Sequence, residues 1–412
     1  MSLRSLAERI AILLPLVLYV PTAAGANFVD SAARRQVLPE RINRVMAAGP
    51  AAEVLVFALA PDKLVGWTRP LSRAQLAYLP ARYARLPMVG RLGGENPTAS
   101  ADTVRRLRPD LIIDAGPLTP ERIAQAEAIQ HQSGVPYILV DSSIQRTPAV
   151  LRSLGVVLGV AQHADDLATY TEHAIVALRG RLLIRPAGER PKVYYGRRPD
   201  GLETALPGSP ADEEINESGA INVAAGLGRD ARVAVTREQL RSWNPNLIIA
   251  EDASFYGALQ HDPAWRTLDA VRYKRIYLAP PDPFGWIDDP PGVNRIVGLY
   301  WLSALLYPDM SQEDLRTVVR DFYDKFYGVK LTDAQLETLV RPAEARAGET
   351  RRAAGEPLFG TGAAPPVPIP TGPNLTPGAA PPGRRGPVPG GNISGGNISG
   401  NVPQAGTPAP LH

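Results

Sequence analysis

Two short stretches constrain this chain more than any others. Residues 101–116 read ADTVRRLRPDLIIDAG, and residues 236–251 read TREQLRSWNPNLIIAE. Asp102, Leu107, Pro109 and Leu111-Ile112-Ile113 have counterparts, in the same order and spacing, in Glu238, Trp243, Pro245 and Leu247-Ile248-Ile249. Each stretch reads as a helix ended by a proline, which lacks an amide hydrogen and clashes with the preceding turn. The apolar triplet that follows has the pattern of a buried strand. A chain that carries this unit twice is expected to build two similar α/β lobes. Two lobes leave a cleft between them, a preferred place for a small ligand.

The rest of the chain fits around those units. Residues 27–148 alternate short apolar runs with helical patterns, which indicates a parallel sheet with crossover helices. Strands are expected over 42–49, 62–68 and 135–141, and a helix over 120–132. Residues 149–186 are almost purely helical and end at Pro186, so they read as a rigid connector. A second α/β lobe follows over 187–347, with a strand at 191–196, a helix beginning near 218 and closing helices near 291–306, 311–327 and 332–340. From residue 348 to 412 Pro, Gly, Ala and Thr dominate. Such a tail cannot bury enough apolar surface to offset its ordering entropy, so it is expected to be disordered.

Composition excludes several function classes. The 412 residues contain no cysteine, which removes disulfides, thiolate metal sites, cysteine nucleophiles and a cysteine-linked lipid anchor. The net charge is +3 and the basic residues are scattered, so no nucleic-acid surface is expected. Residues 1–26 have a basic start, an apolar core IAILLPLVLYV at 10–20 and small residues AGA at 24–26, the pattern of a cleaved secretory signal. The mature protein is expected to be exported, free of a lipid anchor and monomeric. His131, His163, His173 and His261 show no metal-ligand spacing. Motifs of hydrolases, metalloproteases and nucleotide-binding loops are missing, so no catalytic residue, resident metal or cofactor is expected.

Several segments together are similar to a known family. RINRVMAAGPAAEVLVFALAPDKLVGWT at 41–68, LPMVGRLGGENP at 86–97, the two repeated units, DPAWRTLDAVRYKRIYLAP at 262–280 and GLYWLSALLYPD at 298–309 carry the resemblance, which spans about 35–325. The chain resembles the ABC-transporter substrate-binding proteins that carry iron–siderophore complexes, cobalamin or haem. The resemblance implies two Rossmann-like lobes joined by one long helix, with the ligand in the cleft. It also implies a permease dimer as partner, docked by one acid per lobe. Asp102 and Glu238 hold those positions, although family members more often have Glu in the first lobe.

The family's ligand loops fall on segments rich in aromatics and arginines. The candidate ligand residues are Trp67, Arg69, Arg91, Tyr195, Arg197, Arg198, Tyr256, Trp286 and Arg295. Aromatic rings offer broad apolar contact and arginines offer paired donors to anionic oxygens. That mixture suits a bulky anionic metal complex, foremost an iron–siderophore, with cobalamin, haem or an oxyanion such as molybdate as the alternative ligands. A small oxyanion such as molybdate would instead need few aromatics and several convergent donors. A more distant alternative is an interaction protein that uses the Pro-rich tail. Competing readings stand beside the candidates: Trp67 is equally a core residue, one of Tyr194 and Tyr195 faces the core, and Arg295 could pair with Asp288 or Asp289.

Overall fold

The computed structural model describes residues 26–94, 96–182, 190–229, 232–308 and 314–341. All of them belong to the unit Met1–Phe359. The expected signal segment (except Ala26) and the expected disordered tail lie outside the described residues.

A hairpin of β1 (Ala26–Val29) and β2 (Arg35–Leu38) precedes the first lobe. Then come β3 (Val45–Ala47), α1 (Pro50–Leu59), α2 (Arg73–Leu76), α3 (Ala101–Leu107), β4 (Leu111–Ala115), α4 (Pro120–Ser133) and β5 (Tyr137–Val140). Strands β3, β4 and β5 form a parallel sheet in that order, with Val45 beside Leu111 and Ile112 beside Tyr137. Helices α5 (Thr147–Val157) and α6 (Ala161–Leu182) follow. The 22-residue α6 is the long connecting helix, and α5 packs along it. They approach so closely that a Cβ on Gly155 would lie 2.2 Å from the Ala164 methyl, so only glycine fits there.

The second lobe contains β6 (Lys192–Gly196), β7 (Glu203–Ala205), α7 (Pro210–Glu217), β8 (Ile221–Asn222), β9 (Arg232–Ala234), α8 (Arg237–Trp243), β10 (Leu247–Ala250), α9 (Ala253–His261), α10 (Asp269–Arg272) and β11 (Ile276–Leu278). Its main sheet is parallel in the order β11-β10-β6-β8, and β7 pairs with β9 in a separate antiparallel ribbon. Helices α11 (Arg295–Leu306) and α12 (Leu315–Tyr327) and helical residues 333–341 complete the described chain.

The repeated units are the middle of each sheet. In both, the helix ends on a non-glycine residue in the left-handed region just before the proline, Arg108 (φ 48°) and Asn244 (φ 40°). A proline disfavours helical geometry in the residue before it, which fits an ending at that point. Both strands of the units are fully buried. Period-two alternation sorts their side chains onto two cores. Val45, Leu111, Ile113, Val193, Tyr195, Leu247 and Ile249 point into one central core shared by both lobes. Met46, Ile112 and Tyr137 face an outer core of the first lobe, and Tyr194 and Ile248 face an outer core of the second.

The central core contains a belt of aromatic rings. Phe57 of α1 packs on Trp67 (5.5 Å between centroids), Tyr83 (5.4 Å), Phe284 (5.9 Å) and Tyr327 of α12 (6.1 Å). The belt ties the first lobe to the closing segment of the chain.

Two expected elements differ. Residues 62–68 form no strand, only single-residue bridges of Leu64 to Val45 and Trp67 to Met88. No helix starts near 218. Only Ile221–Asn222 is extended, followed by a single 3-10 turn at Ala225–Leu227, because Asn222 Nδ2 donates to Ala205 O (2.9 Å) and Asp212 Oδ1 (2.8 Å), while its Oδ1 accepts from the Ala224 amide (3.0 Å). A carboxamide satisfied in this way stabilises the extended chain over helix.

Candidate functional site

The loops after β3, β4 and β6 leave their strands on the side where ligands of open α/β sheets bind. They border a cleft of about 450 Å³ between the lobes. From the first lobe come Gly49, Pro50 and Ala51 at the start of α1, Arg91, Asp114 at the end of β4, and Arg122 in the first turn of α4. From the second come Arg197 and Arg198 after β6, Arg232 of β9, and Asp288 and Asp289. Among the described residues that line the cleft there are five arginines and no aromatic ring.

The arginines are held to different degrees. Arg122 grips Asp114 with two donors, Nε on Oδ2 (2.9 Å) and Nη2 on Oδ1, and Nη2 also donates to Ala115 O (2.7 Å). The buried Tyr137 hydroxyl donates to Asp114 as well (3.1 Å), and burial pushes this phenol far up. Gly116 makes room for the clamp, since a Cβ there would collide with the Arg122 guanidinium. Arg91 donates from Nε to Asn96 O (2.8 Å), and no acid pairs with it among the described residues.

Arg197 is the most tightly held, at 12% exposure. Its Nη1 donates to both Asp288 oxygens (2.7 and 2.6 Å), its Nη2 lies 2.8 Å from Glu251, and its Nε lies 3.4 Å from Glu203. Burial pushes the Glu251 carboxyl up to about 7 against the pull of Arg197. Arg198 adopts a left-handed backbone (φ 67°) and is 61% exposed.

Helix α1 adds backbone donors. Its N-cap Gly49 provides no side-chain cap, and an uncapped helix start carries partial positive charge toward an anion. One turn in, Glu53 is completely buried. Its Oε2 accepts from the Thr68 amide, and burial raises its carboxyl to about 7 while the nearby Arg69 opposes that rise.

The candidates chosen from the sequence divide sharply. Arg91, Arg197 and Arg198 line the cleft. Trp67, Tyr195, Trp286 and Arg295 do not, and each is at most 3% exposed. Trp67 packs in the aromatic belt and donates from Nε1 to Tyr83 O (3.0 Å). Tyr195 faces the central core, and its hydroxyl donates to Asp288 (2.6 Å), beneath Arg197. Trp286 donates from Nε1 to the Tyr323 hydroxyl (3.2 Å) and packs edge-on against Trp301. Arg295 pairs with Glu213 (2.6 Å) and Glu214 (3.4 Å), not with Asp288 or Asp289. Arg69 lies beside Glu53 and outside the cleft lining, and Tyr256 lines a different cavity with Leu259 and Arg272.

Arg122 and Arg232 escaped as ligand candidates, whereas Asp114 and the start of α1 fall in segments expected to be ligand loops, 114–119 and 47–53. Arg122 reads as one more polar residue on a solvated helix, and only the fold brings it back over the end of β4. Among the described residues no group of His, Asp and Glu could hold a metal ion.

Asp102 and Glu238 occupy matching places, each in the first turn of its helix and each strongly exposed (78% and 76%). Asp102 pairs with Arg105 and Glu238 with Arg241 (3.2 Å), three residues on in both cases. No described helix is long and apolar enough to cross a membrane.

Comparison with known proteins fits this geometry. The family model described as "Periplasmic binding protein" matches residues 72–283, half of the chain. The molybdate-binding protein MolA of Haemophilus influenzae is 25% identical over 331 residues, covering 74% of this chain and 91% of that protein. An uncharacterized ABC transporter substrate-binding lipoprotein, YvrC of Bacillus subtilis, is 23% identical over 292 residues, covering 69% and 87%. The solved ABC transporter solute binding protein from Sulfurospirillum deleyianum superposes with a TM-score of 0.70 at 27% identity, covering 76% of this chain and 99% of that one. Proteins of this family are in general binding proteins, not enzymes, and work with a membrane permease. With its two parallel-sheet lobes and the cleft between them, the chain belongs to the periplasmic binding proteins of ABC importers.

Proposed function

We propose that this binding protein captures a small oxyanion of the molybdate type and presents it to its permease. The observation that carries the reading is the lining of the cleft. Five arginines from both lobes converge there with an uncapped helix start and without one aromatic ring among the described lining residues. Guanidinium groups and helix amides are the donors that oxygen-rich anions require. The relative named as molybdate-binding supports the same class.

The sequence favoured an iron–siderophore complex because of the aromatics in its loops. Trp67, Tyr195 and Trp286 are buried, so the broad apolar wall that a siderophore, cobalamin or haem would need is missing from the described lining. Asp102 and Glu238 are the proposed permease contacts, because two exposed acids in equivalent first turns offer one anionic point per lobe. The mature chain is proposed to act in the periplasm as a monomer without a lipid anchor, since it has no cysteine to carry one.

Calorimetric titration of the purified chain with sodium molybdate, sulfate, phosphate, haem and a ferric siderophore tests the reading. Saturable one-to-one binding of molybdate is the expected result. Binding of haem or the siderophore with no response to any oxyanion would overturn it.

A further inference from the structure

Glu203 stands directly across a tight turn from Arg197. The two residues form an antiparallel bridge, and the Arg197 amide donates to Glu203 O (2.7 Å). Gly201 permits the turn, since it has φ 67° and a Cβ there would lie 2.1 Å from the Phe255 ring. The Glu203 side chain therefore sits behind the cleft wall, among three of its five arginines. Oε1 lies 3.4 Å from Arg197 Nε and 3.6 Å from Arg232 Nη1, and Oε2 accepts from Arg198 Nε at 3.3 Å.

These contacts are loose where they should be tight. Charge-assisted hydrogen bonds usually run about 2.7–2.9 Å. Glu203 Oε1 and Arg197 Nε are both shielded from solvent, face each other, and make no hydrogen bond. One carboxylate is thus shared by three guanidiniums and fully satisfies none of them. By contrast, Asp288 holds Arg197 with two bonds of 2.7 and 2.6 Å. Asp288 fixes Arg197 in place, and Glu203 only offsets charge.

We infer that Glu203 is a built-in counter-anion: it partly neutralises Arg197, Arg198 and Arg232 in the ligand-free protein and competes with an incoming oxyanion for their donors. The inference rests on the oxyanion reading of the cleft. Glu203 then sets affinity, and does so without touching the ligand. An oxyanion that arrives takes over donors on Arg198 and Arg232, while Asp288 and Glu251 keep Arg197 anchored.

The test compares wild type, Glu203→Gln and Glu203→Asp by calorimetric titration with sodium molybdate at low salt. Removing the charge in Glu203→Gln should tighten binding about fivefold to tenfold, because one negative charge leaves the wall of the site. That gain should shrink as salt is added. Glu203→Asp keeps the charge and should stay within about twofold of wild type. Unchanged or weaker binding in Glu203→Gln would overturn the inference, since a residue that only positions the arginines would give that result. If neither wild type nor Glu203→Gln binds any oxyanion, the reading of the cleft itself fails. A measurement on the unmutated chain guards against a folding defect in the variants. The arginine Nε–H signals of Arg198 and Arg197 in NMR spectra should move on molybdate addition as Glu203 is displaced. If they stay fixed while molybdate binds, Glu203 is not a competitor.

Discussion

The two lobes agree where they carry the repeated unit and part company where they meet the cleft. Helices α3 and α8 match in length, in left-handed ending and in an exposed acid paired three residues on. Their N-termini are braced alike. The Ser100 amide donates to Thr103 Oγ1 (3.4 Å), and Thr236 and Gln239 exchange bonds in a full capping box. The bases of the following strands match too, with Asp110 accepting from the Arg44 amide (2.9 Å) and Asn246 from the Lys192 amide (2.7 Å). The cleft loops do not correspond. The first lobe offers Arg122 locked to a single acid and Arg91 with none among the described residues, whereas the second gathers three acids on Arg197. The shared part suits a task performed equally by both lobes, such as docking a two-fold permease. The divergent part suits an asymmetric grip on one small ligand.

The comparison breaks most visibly at Arg197. Replacing it by Ala leaves Asp288, Glu251 and Glu203 without their shared cation, and loss of one partner from a buried charge cluster costs about 3–5 kcal/mol. Arg197→Ala should therefore lower the urea midpoint strongly and abolish molybdate binding. Arg91→Ala, which leaves no acid behind among the described residues, should weaken binding and leave the urea midpoint near wild type. Equal losses of stability in the two variants would show that the lobes do not differ in this way.

A smaller effect belongs to Glu53 of α1; the second lobe buries a carboxyl equally deeply in α7, Glu214, but sets it 3.4 Å from Arg295 Nε. Its carboxyl is raised from 4.5 to about 7, chiefly by burial. The folded chain thus binds this proton more tightly than the unfolded chain. The stabilisation is fully present below about pH 4.5 and is lost as pH rises through about 7, roughly 3 kcal/mol in all. Urea unfolding at about pH 5 and about pH 8 brackets it, and Glu53→Gln should reduce the difference without abolishing it, because burial raises Glu251 into the same range. A wild-type midpoint that is independent of pH over that window would contradict the burial of a carboxyl there.

The smallest effect on the isolated protein is expected at the matched acids. Asp102→Ala and Glu238→Ala should leave both the melting temperature and the molybdate affinity unchanged, because both side chains stand in solvent. Each should still reduce uptake into vesicles that contain the cognate permease, and the double variant should reduce it further. Normal transport by the double variant would overturn the proposed docking role and, with it, the explanation of why the lobes match.

Tertiary packing also explains which candidates could be read from the chain. Asp102 and Glu238 were visible because a helix start, a proline and a buried triplet are local signals that recur. Arg91, Arg197 and Arg198 were visible because they sit in loops directly after strands or turns. The core reading of Trp67 was already open in the sequence, but Trp286 misled because the Gly/Pro-rich sequence around it shows a loop-like context and not what faces it. Phe284 arrives from a distant position to pack on Trp67, and Tyr323 to meet Trp286. Burying a large ring is worth a few kcal/mol, so rings brought near a shared core are drawn into it and away from a hydrated cleft.

The sequence by itself determined the two-lobe α/β architecture, the long connecting helix and the paired acids, because periodicity, prolines and caps act over a few residues. Only the tertiary structure decided what the cleft presents. It buried the aromatic belt between the lobes, and it brought Arg122 over Asp114 and Arg232 beside Glu203. Such encounters depend on chain segments far apart in sequence, where packing and charge pairing outweigh local preference.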